Sequence, residues 1–145
     1  AWEYLVETHA IAPRDIILFG RSLGGAVAAR LAADVEPGAL ILESSFNSAR
    51  DVARAIYPVI ASLTVLRYGF DTAARVAQVR CPVLVLHSPE DEIIPYALGR
   101  KVYEAARQPK SFQTLAGDHN GGFLISQPGD QRGLAGFLAN SLNDD

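Results

Sequence analysis

Four short apolar runs alternate with longer, more polar segments along the chain. The first three are almost continuously apolar, which is typical of strands covered on both faces in a parallel sheet. The fourth mixes polar and apolar residues, which favours a position nearer a sheet edge. The four predicted strands are 15–19, 39–44, 82–87 and 111–116.

The segments between these runs have helical spacing of their apolar residues. Alternating strands and helices predict an α/β fold with a mostly parallel sheet and flanking helices. The predicted helices are 23–34, a broken stretch over 48–74, 95–107 and 130–142. The whole chain, 1–145, is then a single domain.

The longest connection between predicted strands, 44–80, is too long for a plain loop. We expect a small helical cap within it, which carries an apolar stripe that includes Ile56, Ile60 and Leu63. One interpretation is ordinary packing onto the rest of the domain. The other is that these three residues line a pocket for an apolar or acyl substrate.

Composition places the chain among ordinary globular proteins. Its 145 residues are 49% hydrophobic and 20% charged, with a net charge of −3. This charge provides no basic surface, so we expect no nucleic-acid partner. No secretory signal or long apolar span is visible, which favours a cytoplasmic location. The chain lacks methionine and opens at Ala1 within helical spacing, and we therefore expect it to be a piece of a longer protein.

The stretch "FGRSLGG" over 19–25 places Ser22 between two glycines, directly after an apolar run. A serine at a sharp strand-to-helix corner is typical of the nucleophile of a hydrolase. We expect Gly20 and Gly24 to be required because a Cβ at either position would crowd the bend. The corner lies at the carboxyl end of its strand, where ligands of open α/β sheets bind.

A serine nucleophile needs a base, and the chain offers three histidines. His9 precedes the first strand and is expected at the surface, whereas His87 closes the third strand and is expected to be buried and hydrogen-bonded. His119 lies in "AGDHNGGF", a glycine-containing loop after the fourth strand, at the same end of the sheet as Ser22. His119 is therefore the preferred base.

The acid that orients the base has several candidates. The segment "HSPEDEIIP" after the third strand supplies Glu90, Asp91 and Glu92. Asp118 is too close to His119 in the chain to reach around its ring, and Glu43, at the end of the second strand, is the best candidate outside the segment. The chain order serine, aspartate, histidine is that of α/β-hydrolases.

The motifs "GRSLGG", "CPVLVLHSPEDEIIP" and "GDHN" together resemble the α/β-hydrolase superfamily. More narrowly, the chain is similar to its BEM46-like branch, also called the ABHD13/ABHD17-like group. The resemblance implies Ser22 as nucleophile, Asp91 as acid and His119 as base of an esterase or thioesterase. It implies a small ester or acyl substrate and neither a metal nor an organic cofactor. One departure is Ser88, where relatives usually have a glycine after the histidine.

The resemblance covers the last four strands of the family's sheet, so its N-terminal half is expected to be missing. Of the two oxyanion-hole donors of the family, the backbone N–H of Leu23 is present here. Losing one such donor costs on the order of 10²- to 10³-fold in rate. The open edge at 15–19 is then expected to pair with an N-terminal partner or a second copy. The alternatives to a serine hydrolase are a weak or inactive fragment that acts in binding or association, and a lyase or transferase with the same triad.

Overall fold

The computed structural model describes residues 1–56, 70–122 and 129–142. Its centre is a sheet of four parallel strands in the order β1-β2-β3-β4, which confirms the predicted α/β class. The strands are β1 Ile17–Arg21, β2 Ala39–Glu43, β3 Val83–His87 and β4 Lys110–Thr114.

The helices follow the predicted alternation. A π-helical turn, Tyr4–Thr8, and a short 3₁₀ turn, Pro13–Asp15, precede the sheet. The α-helices are α1 Leu23–Val35, α2 Ala49–Ile56, α3 Thr72–Val76, α4 Tyr96–Ala105 and α5 Gly129–Leu142. The predicted cap over 44–80 is described at its two ends, α2 and α3, while residues 57–69 lie outside the described part. The cap therefore stays a prediction.

The sheet separates two apolar layers. One layer joins side chains of α1, α3 and α4 to inward-facing residues of β2 and β3, such as Leu40 and Val85. The other joins alternate residues of the same strands, such as Ile41 and Leu84, to α5. Every residue of β2 and β3 is buried, as expected for the continuous apolar runs. Burial on both faces explains why these strands carry no alternating polar positions.

The first strand differs from its prediction in place and in covering. It runs over Ile17–Arg21 rather than 15–19, so Gly20 and Arg21 are strand residues. It is an edge strand, as the expected open edge indicated, but Phe19 is 55% exposed rather than covered. The described helix on that face, α5, packs against β2 and β4. The mixed run β4 is the other edge strand, as its polar residues indicated.

Candidate active site

Ser22 forms a one-residue corner between β1 and α1. Its backbone has φ 51° and ψ −122°, a left-handed conformation that costs a non-glycine residue on the order of 1–3 kcal/mol. Its N–H donates to the Glu43 carbonyl at 2.9 Å. Its carbonyl accepts from the N–H of Gly25 and from Ser45 Oγ, both at 3.0 Å. These three hydrogen bonds hold the strained corner in place.

Glycine is required at Gly20, as predicted, and at Gly25 rather than at Gly24. A Cβ on Gly20 would lie 2.5 Å from the Gly24 carbonyl oxygen and 2.7 Å from Ala28 Cβ. A Cβ on Gly25 would overlap the side chain of Ser45. Nothing lies within 4 Å of a Cβ on Gly24, so the prediction for that residue is wrong. Gly24 faces outward from α1, whereas Gly25 faces the segment after β2.

Asp91 and His119 meet at the carboxyl end of the sheet. His119 Nδ1 lies 2.8 Å from Asp91 Oδ2 and 2.9 Å from Oδ1, and both residues are buried. Asp91 Oδ1 also accepts from the backbone N–H groups of Ile93 and Ile94, at 3.0 and 2.7 Å. These donors fix the carboxylate, and the carboxylate fixes the imidazole. Because Nδ1 is occupied, Nε2 is the ring nitrogen that can serve a hydroxyl.

Ser22 and His119 are brought to the same end of the sheet. No hydrogen bond joins the Ser22 hydroxyl to the His119 ring within residues 1–56, 70–122 and 129–142. Catalytic hydrogen bonds in hydrolases without substrate are often long and tighten when substrate binds. The serine and the histidine loop are nevertheless connected through Arg21, which precedes Ser22 and donates from Nη2 to the His119 carbonyl and, at 3.3 Å, to Asn120 Oδ1.

The other acidic candidates have different partners. Glu92 Oε2 accepts from the His119 N–H at 2.9 Å, and Glu90 Oε2 accepts from the Gly117 N–H at 3.1 Å. Asp118 Oδ1 accepts from the N–H groups of the two residues after His119, at 3.1 and 2.6 Å. These carboxylates shape the histidine loop through its backbone, and Asp91 contacts the ring.

Glu43 is buried at the end of β2 and does not contact a histidine ring. Its Oε1 lies 3.5 Å from Arg21 Nε. Burial raises the pKa of this carboxyl above its usual range, and the positive charge of Arg21 and then that of His119 act in the opposite direction. Sequence reasoning considered Glu43 as a possible acid and missed Arg21. The signal for Arg21 was its place directly before Ser22, but its partner lies 98 residues away.

His87 is fully buried beneath Asp91. Its Nε2 lies 2.9 Å from the Ile94 carbonyl oxygen and 3.3 Å from Asp91 Oδ2, while Nδ1 is buried without a hydrogen-bond partner in the described structure. Burial lowers the pKa of His87, against the opposing effects of the Ile94 hydrogen bond and the Asp91 charge. A neutral ring that donates from Nε2 fits these contacts. A Cβ on Gly99 would overlap this ring, so α4 needs glycine there.

The remaining predicted site residues are placed as follows. Leu23 is the first residue of α1, so its N–H has no acceptor within the helix and adjoins Ser22. Ile56 ends α2 and is 41% exposed, while Ile60 and Leu63 lie outside the described residues. His9 is exposed, as expected.

A cavity of about 720 Å³ lies between β4 and α5, and Ser22, Asp91 and His119 do not line it.

Two kinds of feature are absent from the described ranges. No group of three or more His, Cys, Asp or Glu side chains there is arranged to hold a metal ion. Of the helices described there, none is both long and apolar enough to cross a membrane.

The chain is similar to a number of curated proteins. It is 36% identical over 121 residues to the uncharacterized protein Rv2307c of Mycobacterium tuberculosis, covering 83% of this chain and 43% of that protein. It is 35% identical over 123 residues to lysophosphatidylserine lipase ABHD12 of Danio rerio, covering 70% and 31%. It is 34% identical over 115 residues to human alpha/beta hydrolase domain-containing protein 17C, covering 79% and 33%. The chain thus spans 31 to 43% of the length of these relatives.

Solved structures show the same fold at lower sequence identity. The esterase domain of a Rhodothermus marinus protein superposes with a TM-score of 0.64 at 24% identity, covering 94% of this chain and 62% of that one. A cold-adapted esterase from an Arctic intertidal metagenomic library gives 0.67 at 16% identity, covering 97% and 55%. No protein-family model matches the chain. From the sheet, the curated relatives and these structures, the chain belongs to the α/β-hydrolase superfamily, in which it is similar to the ABHD17-like proteins.

Proposed function

We propose that this chain carries the Ser-His-Asp triad of a hydrolase that cleaves carboxylic esters or thioesters. One observation carries the proposal: the buried Asp91 carboxylate holds His119 Nδ1 at 2.8 Å, at the sheet end where Ser22 occupies a strained corner. Asp91 orients the imidazole and stabilises its cation, so that Nε2 can act as a general base.

The reaction takes two steps. Ser22 Oγ attacks the carbonyl carbon while His119 Nε2 accepts the hydroxyl proton, and the proton then passes to the leaving alcohol or thiol. The acyl group remains on Ser22 as an ester. Water, deprotonated by His119, attacks this acyl-enzyme, and the carboxylic acid leaves as Ser22 regains its proton. No atom outside substrate, water and the triad is needed to balance either step.

The oxyanion formed in each step needs hydrogen-bond donors. The backbone N–H of Leu23 is one, since it has no acceptor within α1 and follows the nucleophile. The apolar residues Ile56, Ile60 and Leu63 are proposed to contact the acyl chain, and Ile56 is partly exposed at the end of α2.

Labelling with a fluorophosphonate probe tests the hydrolase proposal, because the probe modifies activated serines. Wild type should be labelled, and Ser22→Ala should not. Ser141→Ala is the matched control, since the Ser141 hydroxyl donates to Phe137 O on α5 and lies outside the site; it should label as wild type does. Labelling that survives Ser22→Ala, or a folded protein that neither labels nor hydrolyses p-nitrophenyl esters, contradicts the proposal.

A second candidate function is association through the open edge of β1. Phe19 and Val27 are 55% and 58% exposed on the edge strand and on α1, and an uncovered strand edge invites pairing with another strand. The partner would be a second copy or a separate N-terminal segment. Light scattering of the 145-residue chain should then give a mass above that of a monomer.

Two variants make the association test specific. Phe19→Lys should shift the chain toward monomer, because a charge at the edge opposes strand pairing. Tyr4→Lys, at a residue equally exposed but in the N-terminal turn, should not. A wild-type chain that is a well-behaved monomer contradicts association through this edge with a second copy.

A further inference from the structure

The buried carboxylate of Glu43 has no part in the reaction described above. It lies at the end of β2, directly beside Arg21 in the parallel register of β1 and β2. The Glu43 side chain is 6% exposed and that of Arg21 is 37% exposed, so the carboxylate is withdrawn from water while the guanidinium is partly exposed. A buried charge without compensation is costly, and Arg21 supplies the compensating charge.

The same guanidinium reaches the histidine loop. Arg21 Nε lies 3.5 Å from Glu43 Oε1 in an ion pair without a hydrogen bond, while Nη2 donates to the carbonyl oxygen of His119 and to Asn120 Oδ1. A planar guanidinium with several fixed donors can serve two partners at once, which an ammonium serves poorly. Arg21 therefore joins the end of β1, the end of β2 and the loop after β4.

The backbone of His119 is consequently held from two sides. Glu92 accepts its N–H, and Arg21 donates to its carbonyl. The Glu92 contact fixes the residue relative to the segment after β3, which also supplies Asp91. The Arg21 contact fixes it relative to the corner that carries Ser22, because Arg21 and Ser22 are adjacent in the chain. With Nδ1 on Asp91, the remaining polar atom of His119 is Nε2.

We propose that Arg21, oriented by Glu43, is a positioning residue that sets the distance between the His119 ring and the Ser22 hydroxyl. The inference rests on the proposed hydrolase function. A displacement of about 1 Å between reacting groups costs on the order of 10²-fold in rate. A contact that joins the Ser22 corner to the His119 loop is therefore expected to affect kcat rather than substrate binding.

The experiment compares kcat, KM and the fluorophosphonate labelling rate of three variants with those of wild type. For Arg21→Gln we expect kcat and the labelling rate to fall about 10- to 100-fold with KM unchanged. Arg21→Lys should recover part of this loss, because it keeps the charge but not the two-partner geometry. Arg30→Gln is the matched control, since Arg30 pairs with Asp34 on the exposed face of α1, and it should match wild type.

Glu43 is tested with a double-mutant cycle. Glu43→Gln should lower kcat by a smaller factor than Arg21→Gln, and the double variant should be no slower than Arg21→Gln alone, because Glu43 acts through Arg21. If the kcat losses of the two single variants multiply in the double variant, Glu43 does not act through Arg21. A change in KM alone would overturn the positioning inference in favour of substrate binding, and kcat within twofold of wild type would overturn it outright.

Hydrogen exchange provides a readout that does not depend on activity. The amides of residues 117–122 should exchange faster in Arg21→Gln than in wild type and Arg30→Gln, and unchanged exchange would contradict the contact. If Ser22→Ala is labelled as wild type is, the hydrolase function fails, whatever the exchange data show. If wild type labels at Ser22 and Arg21→Gln labels equally fast, the positioning inference alone fails. If Arg21→Gln does not fold, Arg21→Lys is compared with wild type in its place, by kcat, labelling rate and hydrogen exchange.

Discussion

Asp91 Oδ2 lies 2.8 Å from His119 Nδ1 and 3.3 Å from His87 Nε2, so one carboxylate oxygen faces two imidazole rings. The two histidines differ in their surroundings. His119 stands in a loop at the end of the sheet, whereas His87 is fully enclosed and donates to a backbone carbonyl. One ring is therefore available for chemistry, and the other supports the carboxylate from below.

Replacing Asp91 with asparagine should lower kcat by about 10³- to 10⁴-fold, because the amide stabilises the wrong tautomer of His119 and carries no charge for its cation. The fold should survive, since asparagine is nearly isosteric. Steady-state hydrolysis of a p-nitrophenyl ester measures the loss. Asp34→Asn, on the exposed face of α1, is the control and should match wild type. Equal kcat for Asp91→Asn and wild type would exclude Asp91 as the acid.

The two glycines after Leu23 should respond in opposite ways to alanine. Gly25→Ala places a Cβ against the side chain of Ser45 and should lower the free energy of unfolding by about 1–3 kcal/mol. Gly24→Ala meets open space in a helix and should raise it by up to about 1 kcal/mol. Urea denaturation of both variants measures the difference. Equal stability of the two would contradict the packing described for α1.

The backbone strain at Ser22 predicts a stability difference between two inactive variants. Ser22→Gly and Ser22→Ala both lack the hydroxyl, but glycine adopts φ 51° and ψ −122° without a Cβ penalty. We expect the glycine variant to be more stable than the alanine variant by about 1 kcal/mol in urea denaturation. Relief of the backbone strain stabilises it by about 1–3 kcal/mol, and the greater entropy of glycine in the unfolded chain offsets part of this gain. A more stable alanine variant would show that the corner is unstrained.

His87 predicts a pH dependence of stability. Its pKa in the folded protein is lowered from 6.5, chiefly by burial, so the unfolded chain binds the proton more readily. The contribution of His87 to the free energy of unfolding is fully present above about pH 6.5. It is lost as the pH falls from 6.5 through the pKa of His87 in the folded protein. The raised pKa of Glu43 acts in the opposite sense, with its contribution present at low pH and lost as the pH rises.

A difference measurement separates these two groups. Thermal unfolding of wild type and His87→Gln between pH 5 and 8 should show a stability gap that shrinks as the pH falls, because the variant lacks the titrating ring. Val27→Ala, at an exposed residue without a titratable group, should keep a constant gap to wild type. A gap that widens on acidification would mean that the folded protein binds the proton on His87 more tightly than the unfolded chain.

Much of the architecture was predictable because it depends on local pattern. Continuous apolar runs marked β2 and β3 as central strands, and the mixed run marked β4 as an edge. The run ending at Phe19 was predicted to have an open edge and two covered faces; the strand is at the edge, but the Phe19 side chain is exposed. An apolar run indicates that other residues must bury both faces of the strand. It does not indicate which residues do so, or whether they lie in the described part of the chain.

The sequence by itself determined the parallel sheet, the serine at a strand end and the candidate acids and bases near the same end, because strand periodicity and chain order are local properties. The tertiary structure decided the partners. In the folded chain the His119 ring is hydrogen-bonded to Asp91, and the His119 backbone is hydrogen-bonded to Glu92 and Arg21. The steric requirement for glycine falls on position 25 rather than 24. These choices depend on which loops and helix faces meet in space, and residues 98 apart in the chain carry no local pattern that records their contact.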